Sequence, residues 1–212
     1  MSFEKRVLIL AGPSGVGKTT VMNEITRVRS DFELVRSATT RKKRNDGNNG
    51  EYIYTTKNEF LELLSRGDML EFTEYGGRLY GTPYSEIERI LDSGRIPILI
   101  LDINGVRAMK KRSLNFEVYS VYLYAPLDTL SERLSTRYLE GGEEGMESYL
   151  MRMKNNVTDY KNMRLYEQLF DIAIPSLSLP ETRDGVLSAF EKREKSFSAI
   201  DFVEMAKDYN FG

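Results

Sequence analysis

The sequence predicts an α/β fold, a doubly wound parallel sheet with helices on both faces. Three short and nearly unbroken apolar runs, Val7–Ala11, Ile96–Leu101 and Val118–Tyr124, have the length and composition of strands that are buried on both faces. Segments with helical periodicity and helix-capping residues lie between them. Strands that alternate with helices favour a parallel sheet, because each parallel connection needs a crossover.

Composition limits the chemistry of this chain. Its 212 residues suit one domain of ordinary enzyme size, and its 30 basic and 32 acidic side chains give a formal charge of −2. The chain has no cysteine and no histidine, which excludes disulfides, thiolate or imidazole catalysts and cysteine- or histidine-bound zinc. Catalysis must depend on arginine, lysine, carboxylates, hydroxyls, backbone amides and a hard cation, which suits phosphoryl transfer. The balanced charge predicts neither a nucleic-acid nor a membrane partner, and the lack of a long apolar segment predicts a cytoplasmic location.

The first strand leads into a phosphate-binding loop. Residues Gly12–Thr19 fit the pattern G-x-x-x-x-G-K-[ST], between the strand Val7–Ala11 and a predicted helix over Thr20–Val28. Glycines let successive backbone N–H groups face one phosphate chain, Lys18 can bridge the β- and γ-phosphates, and the Thr19 hydroxyl suits Mg²⁺. The alternative, a glycine-rich turn without a ligand, explains neither the lysine nor the context. The predicted nucleotide ligands here are Gly12, Pro13, Ser14, Gly15, Val16, Gly17, Lys18, Thr19 and Thr20.

Residues 37–95 predict a small α+β lobe inserted into the sheet domain. It follows a short strand at Glu33–Arg36, and Thr56 with Glu59 forms a capping box for a helix over Lys57–Arg66. The remaining predicted elements are a turn at 45–50, a strand at Tyr52–Tyr54, a hairpin from Leu70 to Tyr80 around Gly76-Gly77, and a helix that opens with the capping pair Ser85 and Glu88 and ends near Gly94.

After the inserted lobe, the sequence again predicts the alternating helices and buried strands of the sheet domain. The expected elements after Leu101 are helices at Val106–Arg112 and Leu127–Arg137, a flexible stretch over 140–145, a helix from Tyr149 to about Tyr166, a strand at Asp171–Ile174 and a helix over Glu181–Lys195. We expect a single domain with a core of 1–36 and 96–195, a lobe at 37–95, a lid at about 138–150 and a tail at 196–212. The tail, with a helix around Val203, can pack back, mediate dimerisation or fray.

Several further motifs occur in a characteristic order. They are Ser37-Ala38-Thr39-Thr40-Arg41-Lys42-Lys43-Arg44, Gly50-Glu51-Tyr52, Glu71-Phe72, Tyr80-Gly81-Thr82, Asp102-Ile103-Asn104-Gly105-Val106 and Arg133-Leu134-Ser135-Thr136-Arg137. With the phosphate loop, they make the chain resemble the guanylate kinases over roughly residues 5–195. The resemblance implies a P-loop enzyme with a GMP-binding lobe and a mobile lid. It also implies reversible transfer of the γ-phosphoryl group of MgATP to GMP in purine nucleotide metabolism, with dGMP as a second acceptor.

The resemblance assigns the acceptor site to the inserted lobe. It implies that Arg41, Arg44, Tyr52 and Tyr80 hold the phosphate of GMP and that Glu71 reads guanine, with Ser37, Thr82 and Asp102 also at this site. A carboxylate offers only acceptors, which match the adjacent N1–H and N2–H₂ donors of guanine, whereas adenine would leave it unpaired. The alternatives are a solvated basic loop for the arginines, an exposed strand-edge acid for Glu71 and a helix N-cap for Thr82.

The resemblance assigns the donor side to the loop and to three further arginines. It implies that Arg133, Arg137 and Arg152 belong to the lid and neutralise charge on the transferred group. The implied catalytic residues are Lys18, Arg41, Arg137 and Arg152, and the implied Mg²⁺ ligands are Thr19 and Asp102. For Arg152 the alternative is a solvated arginine on an amphipathic helix.

The chain departs from the family pattern at several positions. Ile100 replaces the first of two aspartates, Asn104 replaces a glutamine, and Ile174-Pro175-Ser176 stands where an asparagine associated with adenine is usual, which leaves the selectivity for the donor base open. Two rival functions stay open as well, a catalytically inactive phosphopeptide-binding module of guanylate kinase type and another nucleoside monophosphate kinase. The sequence allows a monomer or a homodimer.

Overall fold

The computed structural model describes residues 5–42, 52–75, 77–112 and 114–209, and the chain divides into two compact units, 1–9 with 25–118 and 10–24 with 119–212. The strands are β1 Arg6–Ala11, β2 Phe32–Leu34, β3 Ser37–Thr39, β4 Tyr52–Tyr54, β5 Met69–Tyr75, β6 Arg78–Pro83, β7 Ile96–Ile100, β8 Glu117–Tyr124 and β9 Ile172–Pro175. The α-helices are α1 Lys18–Val28, α2 Lys57–Ser65, α3 Tyr84–Asp92, α4 Ile103–Lys110, α5 Leu127–Tyr138, α6 Gly142–Lys161, α7 Leu179–Lys192 and α8 Ile200–Met205.

The larger sheet confirms the predicted α/β class. Its strand order is β2-β7-β1-β8-β9, and β2 pairs in parallel with β7 as β8 does with β9. The residues of β1 from Val7 to Ala11 are fully buried, and those of β8 from Tyr119 to Leu123 nearly so. Apolar runs without alternation thus form interior strands, because helices cover both faces of such a sheet.

A smaller sheet and one helix form within residues 37–83. The strand order is β4-β3-β6-β5, and β5 and β6 form the predicted hairpin, with Glu71 opposite Thr82. Helix α2 packs its buried Phe60 against this sheet. The predicted capping box is confirmed, since Thr56 Oγ1 accepts from Glu59 N at 3.2 Å and Glu59 Oε2 accepts from Thr56 N at 2.8 Å.

The predicted start of helix α3 is wrong. The residue before α3 is Pro83, no side chain caps the helix, and Ser85 lies inside its first turn. Thr82 is not an N-cap either, because it belongs to β6 and its hydroxyl donates to Glu71. Asp102 is the N-cap of α4 instead, where its Oδ1 accepts from Gly105 N at 2.7 Å.

The stretch over 140–145 is helical, contrary to the prediction of a flexible link. A 3₁₀ turn spans Leu139–Gly141, and α6 begins at Gly142, seven residues before the predicted start at Tyr149. Glu143 and Glu144 in its first turn favour a helix N-terminus electrostatically. Gly145 is required for packing, since a Cβ there would lie 2.0 Å from the carbonyl oxygen of Tyr138.

The C-terminal segment packs back on the fold, the first of the three alternatives for the tail. Phe202 of α8 is 1% exposed, and its ring contacts those of Tyr122, Tyr124 and Tyr160 at centroid distances of 5.0 to 5.3 Å. The hydroxyl of Tyr209 donates to the carboxylate of Asp128 at the start of α5. Among the described residues, no helix combines the length and the apolarity that a membrane crossing requires.

Candidate functional site

The phosphate-binding loop connects β1 to α1 and approaches β8 closely. Gly12 has φ of +144°, and a Cβ at this position would lie 2.2 Å from the carbonyl oxygen of Leu123. No side chain fits there, so only glycine lets the loop pass so near the strand. The loop thus ends at the N-terminus of α1, where the helix dipole favours an anion.

Lys18 folds back over the loop. Its Nζ donates to the carbonyl oxygens of Gly12 at 2.8 Å and Pro13 at 2.9 Å, which keeps the ammonium group at the loop. Thr19 and Thr20 follow in the first turn of α1, and both are exposed. The predicted lysine and hydroxyl therefore lie beside the loop.

Asn156 of α6, which was not among the predicted site residues, forms hydrogen bonds to the phosphate-binding loop. Its Oδ1 accepts from Ser14 N at 2.8 Å and its Nδ2 donates to Ser14 O at 3.0 Å. One helical turn earlier, Arg152 Nη1 donates to Ser14 Oγ at 3.4 Å, and its guanidinium lies over the ring of Tyr138. The i, i+4 spacing from Arg152 was the one signal for Asn156 in the sequence.

The three predicted lid arginines have different surroundings. Arg133 donates to the carbonyl oxygens of Val16 at 3.3 Å and Ser176 at 3.0 Å, so it joins two backbone segments. Arg137 is exposed and lies over the Tyr138 ring at 5.5 Å. Arg152 Nε is buried and has no hydrogen-bond partner among the described residues, a cost in free energy that an anionic ligand would remove.

These residues line one cleft. Its volume is about 430 Å³, and its walls are Ser14–Val21, Arg133, Leu134, Arg137, Tyr138, Arg152 and Ser176–Leu179. Four arginine and lysine side chains among polar backbone groups make this cleft suitable for a polyphosphate.

A second cleft, of about 520 Å³, lies between β5 and α4. Glu71, Asp102, Asn104 and Arg112 are among its lining residues. Thr82 Oγ1 donates to Glu71 Oε1 at 2.7 Å. Burial raises the pKa of Glu71, the hydrogen bond from Thr82 opposes this, and the charge of Asp102 adds to the rise. A half-buried carboxylate that keeps acceptor capacity can read a pair of adjacent donors.

A cluster of tyrosines surrounds Arg41. The guanidinium carbon lies 5.2 Å from the ring centre of Tyr52, whose ring contacts that of Tyr80 at 6.2 Å, and Arg41 Nη2 donates to the Tyr54 hydroxyl at 3.5 Å. Arg41 Nε is buried without a hydrogen-bond partner in the described part of the chain. Tyr54 was missed, although it shares a strand face with Tyr52 two residues earlier.

Ser37 and Arg44 are the two other residues predicted for the acceptor site. Ser37 of β3 lies opposite Tyr52 of β4 in the parallel register, which places it near the tyrosine cluster. Arg44 lies outside the described residues.

The two predicted metal ligands have the chemistry that Mg²⁺ requires. Thr19 presents an exposed hydroxyl beside the phosphate loop. Asp102 is exposed, and only its Oδ1 is used by the helix cap. Within the described ranges no group of three or more acidic residues could hold an ion. Hydroxyl and carboxylate oxygens are each ligands that Mg²⁺ accepts beside water and phosphate oxygens.

Comparisons with known proteins agree with this geometry. The family model described as guanylate kinase matches residues 4–193. A guanylate kinase of Lactobacillus delbrueckii subsp. bulgaricus is 39% identical over 207 residues, which cover 95% of this chain and 97% of that protein. One of Thermotoga maritima is 32% identical over 204 residues, 95% of this chain and 94% of that protein. A crystal structure of guanylate kinase from Anaplasma phagocytophilum superposes with a TM-score of 0.65 at 22% identity and covers 98% of this chain and 96% of that one, which supports the fold.

Proposed function

Since the chain belongs to the guanylate kinase family, we propose that it is an enzyme that transfers the γ-phosphoryl group of ATP to GMP and yields ADP and GDP. The observation that carries the proposal is the carboxylate of Glu71, which lines the second cleft and accepts a hydrogen bond from Thr82, because it presents an acceptor to the donor edge of guanine. We also expect dGMP to be an acceptor, since no role that we assign requires the ribose 2′-hydroxyl.

On the donor side, we assign the phosphates of ATP to the loop. Its backbone N–H groups and Lys18 would bind the β- and γ-phosphates, and Lys18 would leave the carbonyls of Gly12 and Pro13 to do so. Arg137 and Arg152 would neutralise charge on the transferred group, and Arg133 would hold the loop.

On the acceptor side, we assign the phosphate of GMP to Arg41, Arg44, Tyr52 and Tyr80. An arginine fork matches two phosphate oxygens, and Arg41 Nε supplies a donor that is otherwise unpaired in the described residues. We assign guanine to Glu71, with Ser37 and Thr82 as hydroxyl partners for its O6 and Asp102 at the same site. Thr82 would then turn its hydroxyl from Glu71 to the base or share it between both acceptors.

The reaction needs no general base. A phosphate oxygen of GMP is already anionic at neutral pH, so it attacks the γ-phosphorus directly while the bond to the bridging oxygen of ADP breaks in line. The protein positions two polyanions and offsets their repulsion with Lys18, Arg41 and Arg137. We propose that residues 138–150 act as a lid and 37–95 as a GMP-binding lobe, whose closure would exclude water and limit hydrolysis of ATP.

Guanylate kinases are nucleotide kinases that work with a divalent metal ion, and we propose Mg²⁺. Thr19 and Asp102 would hold it together with phosphate oxygens, and it would supply further neutralisation of the β- and γ-phosphates. Because Ile100 replaces an acidic side chain, we expect weaker metal binding than a second aspartate would allow. The cytoplasmic location and the choice between monomer and homodimer stay predictions.

An acceptor panel tests the function. At saturating MgATP, ADP formation is followed with GMP, dGMP, AMP, CMP and UMP, and we expect turnover with GMP to exceed that with AMP by orders of magnitude. Turnover with GMP at or below that with AMP would refute the assignment in favour of another nucleoside monophosphate kinase. Tight phosphopeptide binding without ATP affinity would favour the inactive module, which nothing observed supports.

A further inference from the structure

Helix α6 holds the phosphate loop through one buried amide. Asn156 is 1% exposed and lies on the same helix face as Met153, Val157 and Tyr160, which are also buried. A carboxamide among apolar neighbours is unfavourable unless its polar atoms are bonded. Both of its hydrogen bonds go to the backbone of a single residue, Ser14.

The partners fix the orientation of this amide. The backbone N–H of Ser14 can only donate and its carbonyl can only accept, so Asn156 must present Oδ1 to the former and Nδ2 to the latter. The two bonds, of 2.8 and 3.0 Å, restrain Ser14 as a neighbouring strand would. Alanine cannot make either bond, and aspartate can make only one.

Ser14 is part of the loop that lines the first cleft, and Arg152 reaches its hydroxyl from the same helix. We infer that Asn156 is a positioning residue for the donor nucleotide, which fixes the loop in its phosphate-binding conformation before ATP arrives. A loop already ordered loses less conformational entropy on binding, and this appears as affinity for ATP. The inference rests on the proposed function only in taking ATP as the ligand.

Calorimetric titration with MgATP tests the inference in the full chain, with kinetics in parallel. We expect N156A to raise the Kd and the KM for ATP about tenfold, the effect of one lost buried hydrogen-bonding partner, while the KM for GMP stays within about twofold. N156D should bind ATP more weakly still, because its carboxylate cannot donate to the Ser14 carbonyl and adds negative charge near the phosphates. N155A is the matched control, since Asn155 is the same residue type, adjacent and exposed.

Several outcomes would overturn the inference. An N156A enzyme with lower thermal stability but wild-type affinity for ATP would make Asn156 merely structural. An equal rise in the Kd for ATP in N155A would also contradict the inference. Wild-type affinity of N156D for ATP would contradict it as well. If N156A does not fold, amide hydrogen exchange in the wild-type protein decides: slow exchange at Ser14 without nucleotide supports the inference, and exchange as fast as in an unfolded peptide contradicts it.

These outcomes are distinct from a failure of the proposed function. Wild-type protein that binds ATP but does not phosphorylate GMP would refute that function and leave the role of Asn156 intact. If the wild-type protein phosphorylates GMP and N156A binds ATP with wild-type affinity, the role of Asn156 is refuted and the proposed function stands.

Discussion

Thr82 donates a hydrogen bond of 2.7 Å to the carboxylate of Glu71 from the directly opposite position in the β5–β6 hairpin. Cross-strand neighbours on one face are close enough to interact, so the hairpin itself sets the position of the carboxylate. The hydrogen bond holds Glu71 in one orientation, and its side chain lines the second cleft, where carboxylate oxygens can accept from a ligand.

We predict that Glu71→Gln lowers kcat/KM for GMP by at least about a hundredfold and erodes the preference for GMP over AMP, because the site loses an acceptor matched to the two donors of guanine. The KM for ATP should stay close to that of the wild type. Steady-state kinetics with both acceptors measure this, and Glu74→Gln, an exposed acid on the same strand, is the control. An unchanged preference would mean that Glu71 does not contact the base.

The same substitution should affect stability in a pH-dependent way. Burial raises the pKa of Glu71 in the folded protein, so the folded state keeps a proton that the unfolded chain releases at lower pH. Stability is therefore lost as the pH rises from the ordinary range of glutamate through the raised value. Between about pH 5 and about pH 8, Glu71→Gln should gain stability relative to the wild type, because the variant has no carboxyl group to titrate at this position. Urea unfolding at both pH values measures this, and a constant difference would contradict it.

Much of the fold could be predicted from the sequence, because apolar runs, capping residues and the glycines of the loop are local signals. The hairpin and the Thr56–Glu59 capping box are examples. Asn156 and Tyr54 were missed because their importance depends on tertiary neighbours, Ser14 for one and Arg41 for the other. Gly145 was misread for the same reason, since the carbonyl that requires a glycine belongs to Tyr138 in the preceding helix.

Arg133 should contribute to the stability of the fold and to ATP binding, whereas Arg137 should contribute to the rate of phosphoryl transfer. Arg133→Lys should lower the Tm by about 2–4 °C and raise the KM for ATP, because an ammonium group cannot span the carbonyls of Val16 and Ser176 as a guanidinium does. Arg137→Lys should leave the Tm unchanged and lower kcat about tenfold or more, as expected for a group that acts on the transition state. Thermal denaturation and kinetics of both variants test this pair, and a loss of stability in Arg137→Lys would contradict it.

The packing of the C-terminal segment predicts a large loss of stability when the aromatic side chain of Phe202 is removed. Phe202→Ala should cost about 3–5 kcal/mol, the usual range for a buried phenylalanine, because Phe202 fills a site among three tyrosines. Ile200→Ala on the same helix is the control, since that side chain is 62% exposed. Chemical denaturation measures both, and similar costs for the two variants would show that α8 is not docked.

The residues after β9 that line the first cleft predict weak selection of the donor base. Ser176 donates its hydroxyl proton to the carbonyl of Val16 at 2.7 Å, so it can only accept from a ligand, and its neighbours Leu177 and Leu179 are apolar. An acceptor and apolar contacts serve the amino group and ring of adenine and of guanine alike. We expect kcat/KM with GTP as donor to lie within about tenfold of that with ATP, measured as loss of GMP by anion-exchange chromatography. A preference for ATP above about a hundredfold would require a base-reading group beyond these residues.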